Sequence, residues 1–127
     1  MSAGDEDRIW KPAEIIRRYE AGERNFRGLE IGSDADSSDP EFRGANLEGV
    51  DFGECFIAAD FSGARLRGAK FSGNVKTCCF DRADLRGADF SDVAIDGATF
   101  EGADLEGATF EGASEQGYRY SKGEMPR

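Results

Sequence analysis

From Phe42 to Phe110 a large apolar residue recurs at almost every fifth position, usually with a small residue two places before it. The centres are Phe42, Leu47, Phe52, Phe56, Phe61, Leu66, Phe71, Val75, Phe80, Leu85, Phe90, Ile95, Phe100, Leu105 and Phe110. The small residues include Ala45, Ala59, Ala64, Ala69, Cys78, Ala83, Ala88, Val93, Ala98, Ala103 and Ala108. A period of five fits neither a helix (about 3.6) nor a flat strand (about 2), so ordinary amphipathic readings fail. It fits a coil that turns a corner every five residues and points two of the five inward. Self-similarity at a fixed period is the mark of a solenoid.

A second period supports the first. If four sides close one square turn, every fourth centre stacks on the same wall, and the walls then sort by residue type. One wall takes Phe42, Phe61, Phe80 and Phe100, and the next takes Leu47, Leu66, Leu85 and Leu105. A third takes Phe52, Phe71, Phe90 and Phe110, and the fourth takes Phe56, Val75 and Ile95. The five-residue rule alone does not require all four Leu centres to share a wall. Successive turns are 19, 19 and 20 residues long, and the two four-residue sides (Phe52 to Phe56, Phe71 to Val75) lie one above the other. Taking Ile57 as the fourth-wall centre would put Lys76 in the core one turn later, so Phe56 is preferred.

The unit reads as a small residue, often Asp or Asn, then Leu or Phe, then two polar or small residues. Examples are "ANLEG", "ADFSG", "ARLRG", "ADLRG", "ATFEG" and "ADLEG". This arrangement resembles the pentapeptide-repeat family over residues 42–112, with Asn25–Ile31 as a further candidate. The resemblance implies an all-β solenoid: a right-handed quadrilateral β-helix of about four turns, with Leu, Phe and Ala stacked in a narrow column. Turns of such a coil rise by about 4.8 Å, the strand spacing of any sheet. Glycines two places after most centres suit tight corners.

The ends and one interruption divide the chain into residues 1–23, 24–115 and 116–127. In "DRIWKPAEIIRRYEAGE", Pro12 suits the first position of a helix and Gly22 its end. Ile15, Ile16 and Tyr19 share one side of that helix, and Trp10 is placed to staple back on Ile15. An N-terminal α-helix capping the first turn is therefore expected, since an uncapped solenoid exposes strand edges. At the other end Tyr118 and Tyr120 are placed to cover the last turn. Residues 33–41 form an inserted acidic loop in which Asp34, Asp36 and Asp39 loosely echo a calcium site. That loop lacks the later glycine and bidentate glutamate, so no metal is expected.

Composition narrows the function. There is no histidine, the carboxylates fall mostly on outward positions, and a packed column leaves no cleft, so the reading is non-enzymatic and without cofactor. Cys78 fills an inward slot and Cys55 falls on another wall one turn below, so no disulfide is expected and a reducing cytoplasm is the favoured setting. No apolar run is long enough to span a membrane, and the acidic opening "MSAGDEDR" reads against a signal peptide.

Net charge is −10, but it is not uniform. Residues 31–59 carry seven acids and one base, residues 60–80 one acid and four bases, and residues 81–115 ten acids and two bases. Stacking accounts for part of this basic belt by placing Glu48 under Arg67, Arg65 under Asp84, Asp51 under Lys70, Lys70 under Asp89 and Arg86 under Glu106. Arg67 under Arg86 is the exception. Opposite charges on adjacent strands contribute roughly 0.2–1 kcal/mol each. The remaining acids form a surface that attracts a basic protein and repels nucleic acid. Partner-binding candidates are Asp34, Asp36, Asp39 and Glu41 in the loop, and Asp96, Glu101, Asp104, Glu106 and Glu111 near the far end.

The reading is a protein-binding scaffold using an acidic rigid rod. One alternative is an immunity protein that neutralises a basic bacterial toxin. The family resemblance implies another: a DNA mimic that binds DNA gyrase or topoisomerase IV and protects it from quinolones or toxins. A monomer or weak dimer is expected, because the tail lacks the long apolar helix through which some family members dimerise.

Overall fold

In the computed structural model the chain is described over residues 9–26, 30–31, 42–53 and 59–126. Its regular elements are short: β1 (Ile9–Trp10), α1 (Pro12–Glu20), β2 (Glu30–Ile31), β3 (Asp51–Gly53), β4 (Lys70–Phe71), β5 (Ser114–Glu115) and β6 (Tyr118–Arg119). Most of the chain is corners joined by single parallel bridges, because a side of five residues leaves room for little more. The bridges run up each wall in register. Asn46, Arg65, Asp84 and Asp104 form one ladder, and Asp60, Cys79 and Thr99 another. Asp51, Lys70, Asp89 and Thr109 form a third, and Asn74, Ala94 and Ser114 a fourth. Each ladder residue except Ser114, at the end of the column, precedes a wall residue, so the wall assignment made from the repeat holds wherever the chain is described. Phe56 and Cys55 lie outside the described residues.

The interior follows from the walls. Phe42, Phe61, Phe80 and Phe100 stack face to face at 5.0, 5.2 and 5.2 Å. Phe52, Phe71, Phe90 and Phe110 stack likewise at 5.5, 4.8 and 4.8 Å. Rings of the two columns meet edge to face, as Phe80 and Phe90 do at 5.4 Å and 86°. Each such contact adds about 0.5–1.5 kcal/mol beyond burial. Among the described residues no polar or charged residue is buried. Cys78 fills its inward slot at 0% exposure, and Cys78 and Cys79 are both free thiols.

Each corner is a four-residue turn, as where the Ala64 N–H donates to the Phe61 carbonyl at 2.9 Å. The third residue takes a positive φ, which glycine adopts at least cost. Thr77, Arg82 and Asp92 accept it at φ 62°, 59° and 62°. The residue one coil above each is a glycine: Gly97, Gly102 and Gly112 respectively. A Cβ at Gly112 would meet the Asp92 carboxylate, which would have to turn away to make room for it.

Helix α1 begins at Pro12, with the Lys11 N–H donating to Glu14 Oε1 at 3.3 Å. It ends in a Schellman-type closure, with Gly22 N–H to the Tyr19 carbonyl and Glu23 N–H to the Arg18 carbonyl at 2.9 and 3.0 Å. Ile15, Tyr19 and Trp10 belong to the same buried cluster as Phe26 and Phe42. The Tyr19 hydroxyl donates to the Glu48 carbonyl at 2.6 Å, which ties the helix to the repeat.

At the far end β5 and β6 pair antiparallel through Gln116 and Gly117, both at positive φ (49° and 86°), the requirement of a tight I′ hairpin. The hairpin folds back so that the Gly112 N–H meets the Tyr120 carbonyl at 2.9 Å, and the Tyr120 ring lies 6.3 Å from Phe110. Tyr120 thus covers part of the last turn. Tyr118 does not: it is 54% exposed and leans edge-on against Tyr120 at 5.3 Å. Tyr118 lies in β6 and Tyr120 just after it, and only the second meets Phe110 at the end of the column.

Candidate functional site

The residues on either side of each centre both point outward, because alternate residues of an extended segment share a face. They have different duties. The residue before the centre is often Asp or Asn, and its Oδ1 accepts the amide two places on. Asp60 does this for Ser62 at 2.9 Å, Asn74 for Lys76 at 2.7 Å, Asp89 for Ser91 at 2.9 Å and Asp104 for Glu106 at 3.2 Å. The preference for Asp or Asn at this place is therefore a preference for a side-chain acceptor that closes the corner. At Asp60 burial pushes the carboxyl up, but the Ser62 hydroxyl and amide, with Arg43 at 3.4 Å, bring the net shift down.

The residue after the centre has no such duty. On the last coil these are Asp96, Glu101, Glu106 and Glu111, spaced by five residues and following Ile95, Phe100, Leu105 and Phe110. Each stands on a different side of the square. No side chain of these four makes an ion pair or hydrogen bond with another described residue. Asp104 shares a side with Glu106, closes its own corner, and lies 3.8 Å from Arg86 Nε. Five acids proposed from sequence are thus brought to one end of the column, as a ring rather than a single wall. Asp34, Asp36, Asp39 and Glu41 lie outside the described residues.

The basic belt sits in the register expected from stacking, and a close ion pair on the coil above it is lateral, not vertical. Arg86 donates to Asp84 on its own coil through Nε at 2.8 Å and Nη2 at 2.7 Å. This two-point bond holds the Asp84 carboxyl down at about 2 and pushes the Arg86 guanidinium up. Lateral neighbours compete with vertical ones because both lie within reach of a long guanidinium arm. Arg67, stacked below Arg86, makes no ion pair among the described residues. The two arginines border a shallow dish floored by Gly68 and Gly87 and closed by Glu106. The dish is open to solvent. Among the described residues no group of three metal-ligating side chains gathers, and no helix is long and apolar enough to cross a membrane.

The pentapeptide-repeat family model matches residues 41–73 and 78–114, with 8 copies of the unit. That match covers more than half of the chain. The chain belongs to the pentapeptide-repeat family. Its members are right-handed β-helices that generally serve as structural or binding proteins rather than enzymes.

Among solved structures, the chain is similar to alr5209, a pentapeptide repeat protein from Nostoc PCC 7120, at 30% identity over 84% of this chain and 81% of that one, with a TM-score of 0.44. It is similar in fold to QnrB1, a plasmid-mediated fluoroquinolone resistance protein, at 21% identity and a TM-score of 0.53, over 71% of this chain and 47% of that one. A pentapeptide repeat protein of the Arabidopsis thaliana thylakoid lumen, AT2G44920, is 34% identical over 57% of this chain and 59% of that one, with a TM-score of 0.39. The chain therefore spans about half the length of QnrB1. No functionally curated protein matches it in sequence.

Proposed function

We propose that the chain is a non-enzymatic binding scaffold that holds a cationic protein partner at the acidic end of a rigid column. The observation that supports this most is the placement of Asp96, Glu101, Glu106 and Glu111. Four carboxylates on four sides of one coil, none in a hydrogen bond or close ion pair with a described residue and only Glu106 with an arginine (Arg86) nearby, form a negative field whose spacing is fixed by the packed core beneath. Such a field speeds encounter with a basic protein and selects against acidic ones. In this reading α1 caps the first of about four turns and keeps the other end from polymerising, and residues 24–115 form the column. The protein works as a cytoplasmic monomer or weak dimer, because rings of like charge resist meeting end to end.

A small acidic scaffold also suits the role of an immunity protein, since a basic toxin presents the complementary charge. Mimicry of duplex DNA before a type II topoisomerase asks for an unbroken negative face. Here Arg65, Arg67 and Arg86 interrupt the Leu side, and Lys70 interrupts its neighbour. The likeness to QnrB1 is one of fold, so the mimic is the weaker alternative.

The test is capture from the native host. The wild-type chain is expected to retain a basic protein that high salt releases, and the variant D96K/E101K/E106K/E111K to lose it while melting cooperatively. Equal capture by both proteins would refute the ring and move attention to Asp34, Asp36, Asp39 and Glu41. Inhibition of gyrase supercoiling at micromolar protein would favour the mimic instead.

A further inference from the structure

Below the last coil, sides of the column among the described residues are joined to the coil above by repeated upward bonds. On the Leu side the centre donates upward: Leu47, Leu66 and Leu85 N–H reach the carbonyls of Arg65, Asp84 and Asp104 at 2.8, 2.8 and 2.9 Å. The corner glycines do the same, with Gly49, Gly68 and Gly87 N–H reaching Arg67, Arg86 and Glu106 at 2.8, 2.9 and 2.9 Å. The return bond runs from Asp104 N–H to the Ala83 carbonyl at 3.0 Å.

In the last coil this pattern stops. The N–H groups of Phe100, Gly102, Leu105 and Gly107 and the carbonyls of Ala98 and Ala103 have no backbone partner above them among the described residues. The returning hairpin satisfies Gly112 and Ala113 and covers Phe110, but it leaves two sides of the square open. Burial shows the same gap: Leu66 and Leu85 are 0% exposed, whereas Leu105, Ala98 and Ala103 are only partly buried. The end of the column is an unpaired sheet edge beside an incompletely covered apolar corner.

We propose that this edge receives an extended cationic segment of the partner protein, which adds to the column as one more side or two. The inference rests on the binding reading above and specifies how the partner is held. Backbone donors at Leu105 and Gly107 supply the attachment, as in any strand added to a sheet edge. Glu101, Asp104 and Glu106 border the edge and set its chemistry. Within the column Asp84 stands over Arg65 and Asp89 over Lys70, but Asp104 stands over Asp84, so a Lys or Arg above Asp104 and Glu106 supplies the opposite charge that Asp84 below does not. An apolar residue between those cations completes the cover over Leu105. A second copy of this chain is the poorer occupant, because joining two such ends opposes acid to acid.

The probe is a fluorescent peptide of two Ala-Lys-Leu-Arg-Gly repeats, compared with a peptide of equal charge in which each Leu is replaced by Pro. Binding is followed by anisotropy and amide protection by hydrogen exchange. The first peptide is expected to bind about tenfold more tightly or better, since proline removes a ladder donor and the apolar cover. It is also expected to slow exchange at the amides of Leu105 and Gly107. E101K/E106K is expected to abolish binding while the protein still melts cooperatively. Equal affinity for the two peptides without protection of those amides overturns the edge and leaves a purely electrostatic acidic surface standing. Protection of the same amides in the protein alone, with a dimer in sedimentation, overturns it in favour of a second copy. Failure of both peptides to bind also overturns it, whereas the ring itself is judged by the capture experiment.

Discussion

Two pentapeptides of this chain differ by one residue and by everything around them. Ala83-Asp84-Leu85-Arg86-Gly87 lies in the middle of the Leu wall, and Ala103-Asp104-Leu105-Glu106-Gly107 lies directly above it at the end. In the first, Ala83 and Leu85 are 1% and 0% exposed, the amides of Leu85 and Gly87 are bonded upward, and Arg86 grips Asp84. In the second, Ala103 and Leu105 are partly buried, the equivalent amides have no partner among the described residues, and Glu106 leaves Asp104 without a lateral cation. The Asp side chains are 26% and 56% exposed. The lesson is that a repeat unit's sequence does not fix its energy alone. Its neighbours above and below set whether it is core or rim, as nearest-neighbour coupling in solenoids demands.

The comparison is most open to attack through the two leucines. Leu85→Ala is expected to cost about 3 kcal/mol in urea unfolding, because the cavity lies between two coils that cannot collapse. Leu105→Ala is expected to cost less, about 1–2 kcal/mol, because the side chain is already partly exposed and the gap it leaves opens to solvent. Equal losses would mean that the last coil is as enclosed as the middle one.

Exchanging the one differing residue gives a smaller effect. Arg86→Glu takes the two-point partner from Asp84 and places another acid beside it, so a small loss of stability is expected that fades as salt is raised. Glu106→Lys is expected to leave stability unchanged or slightly raised, since it gives Asp104 a neighbour of opposite charge. If both substitutions destabilised equally, the lateral pair would be no stronger than a chance surface contact.

Acid titration sharpens the same contrast. Asp84 has a folded pKa of about 2 against an ordinary 3.8, so its contribution is complete above that value and lost as pH falls toward 2. After solvent screening the loss is under about 1 kcal/mol, and Asp84→Asn is expected to flatten that part of the stability curve. The hairpin responds at the other extreme. Burial, then the Glu115 hydrogen bond, push the Tyr120 hydroxyl up to about 12 from 10, so its contribution is intact below pH 10 and lost as pH rises toward 12. Tyr120→Phe is expected to remove this alkaline step in the unfolding midpoint.

Much of the fold was legible because inward residues in a square coil have so few options. A centre must be large and apolar, its companion two places before must be small, and the Leu wall carried its own label. The helix was legible from Pro12, Gly22 and the Ile15–Tyr19 face. The candidate site was legible in part. The acids were visible, but not that Asp and Asn before a centre close corners, nor that Asp81 after a centre is engaged by the Glu101 amide while Asp96, Glu101, Glu106 and Glu111 on the last coil make no side-chain bond among the described residues. The constant offset of Asp and Asn from each centre was the signal for that distinction. The lateral grip of Arg86 on Asp84 was less accessible, since residue spacing alone ranks vertical and sideways neighbours alike.

Periodicity by itself determined the four walls, the inward slots and the register of their stacking, because a closed turn of nearly constant length leaves a side chain little freedom in where it falls. Only the folded chain decided which copies of one motif lie between neighbours and which lie at the edge. It also decided that the returning hairpin covers Phe110 but leaves the Leu105 corner open. Those outcomes depend on how a chain end folds back over a column. That is a balance of backbone bonds, ring contacts and exposed area that no single repeat encodes.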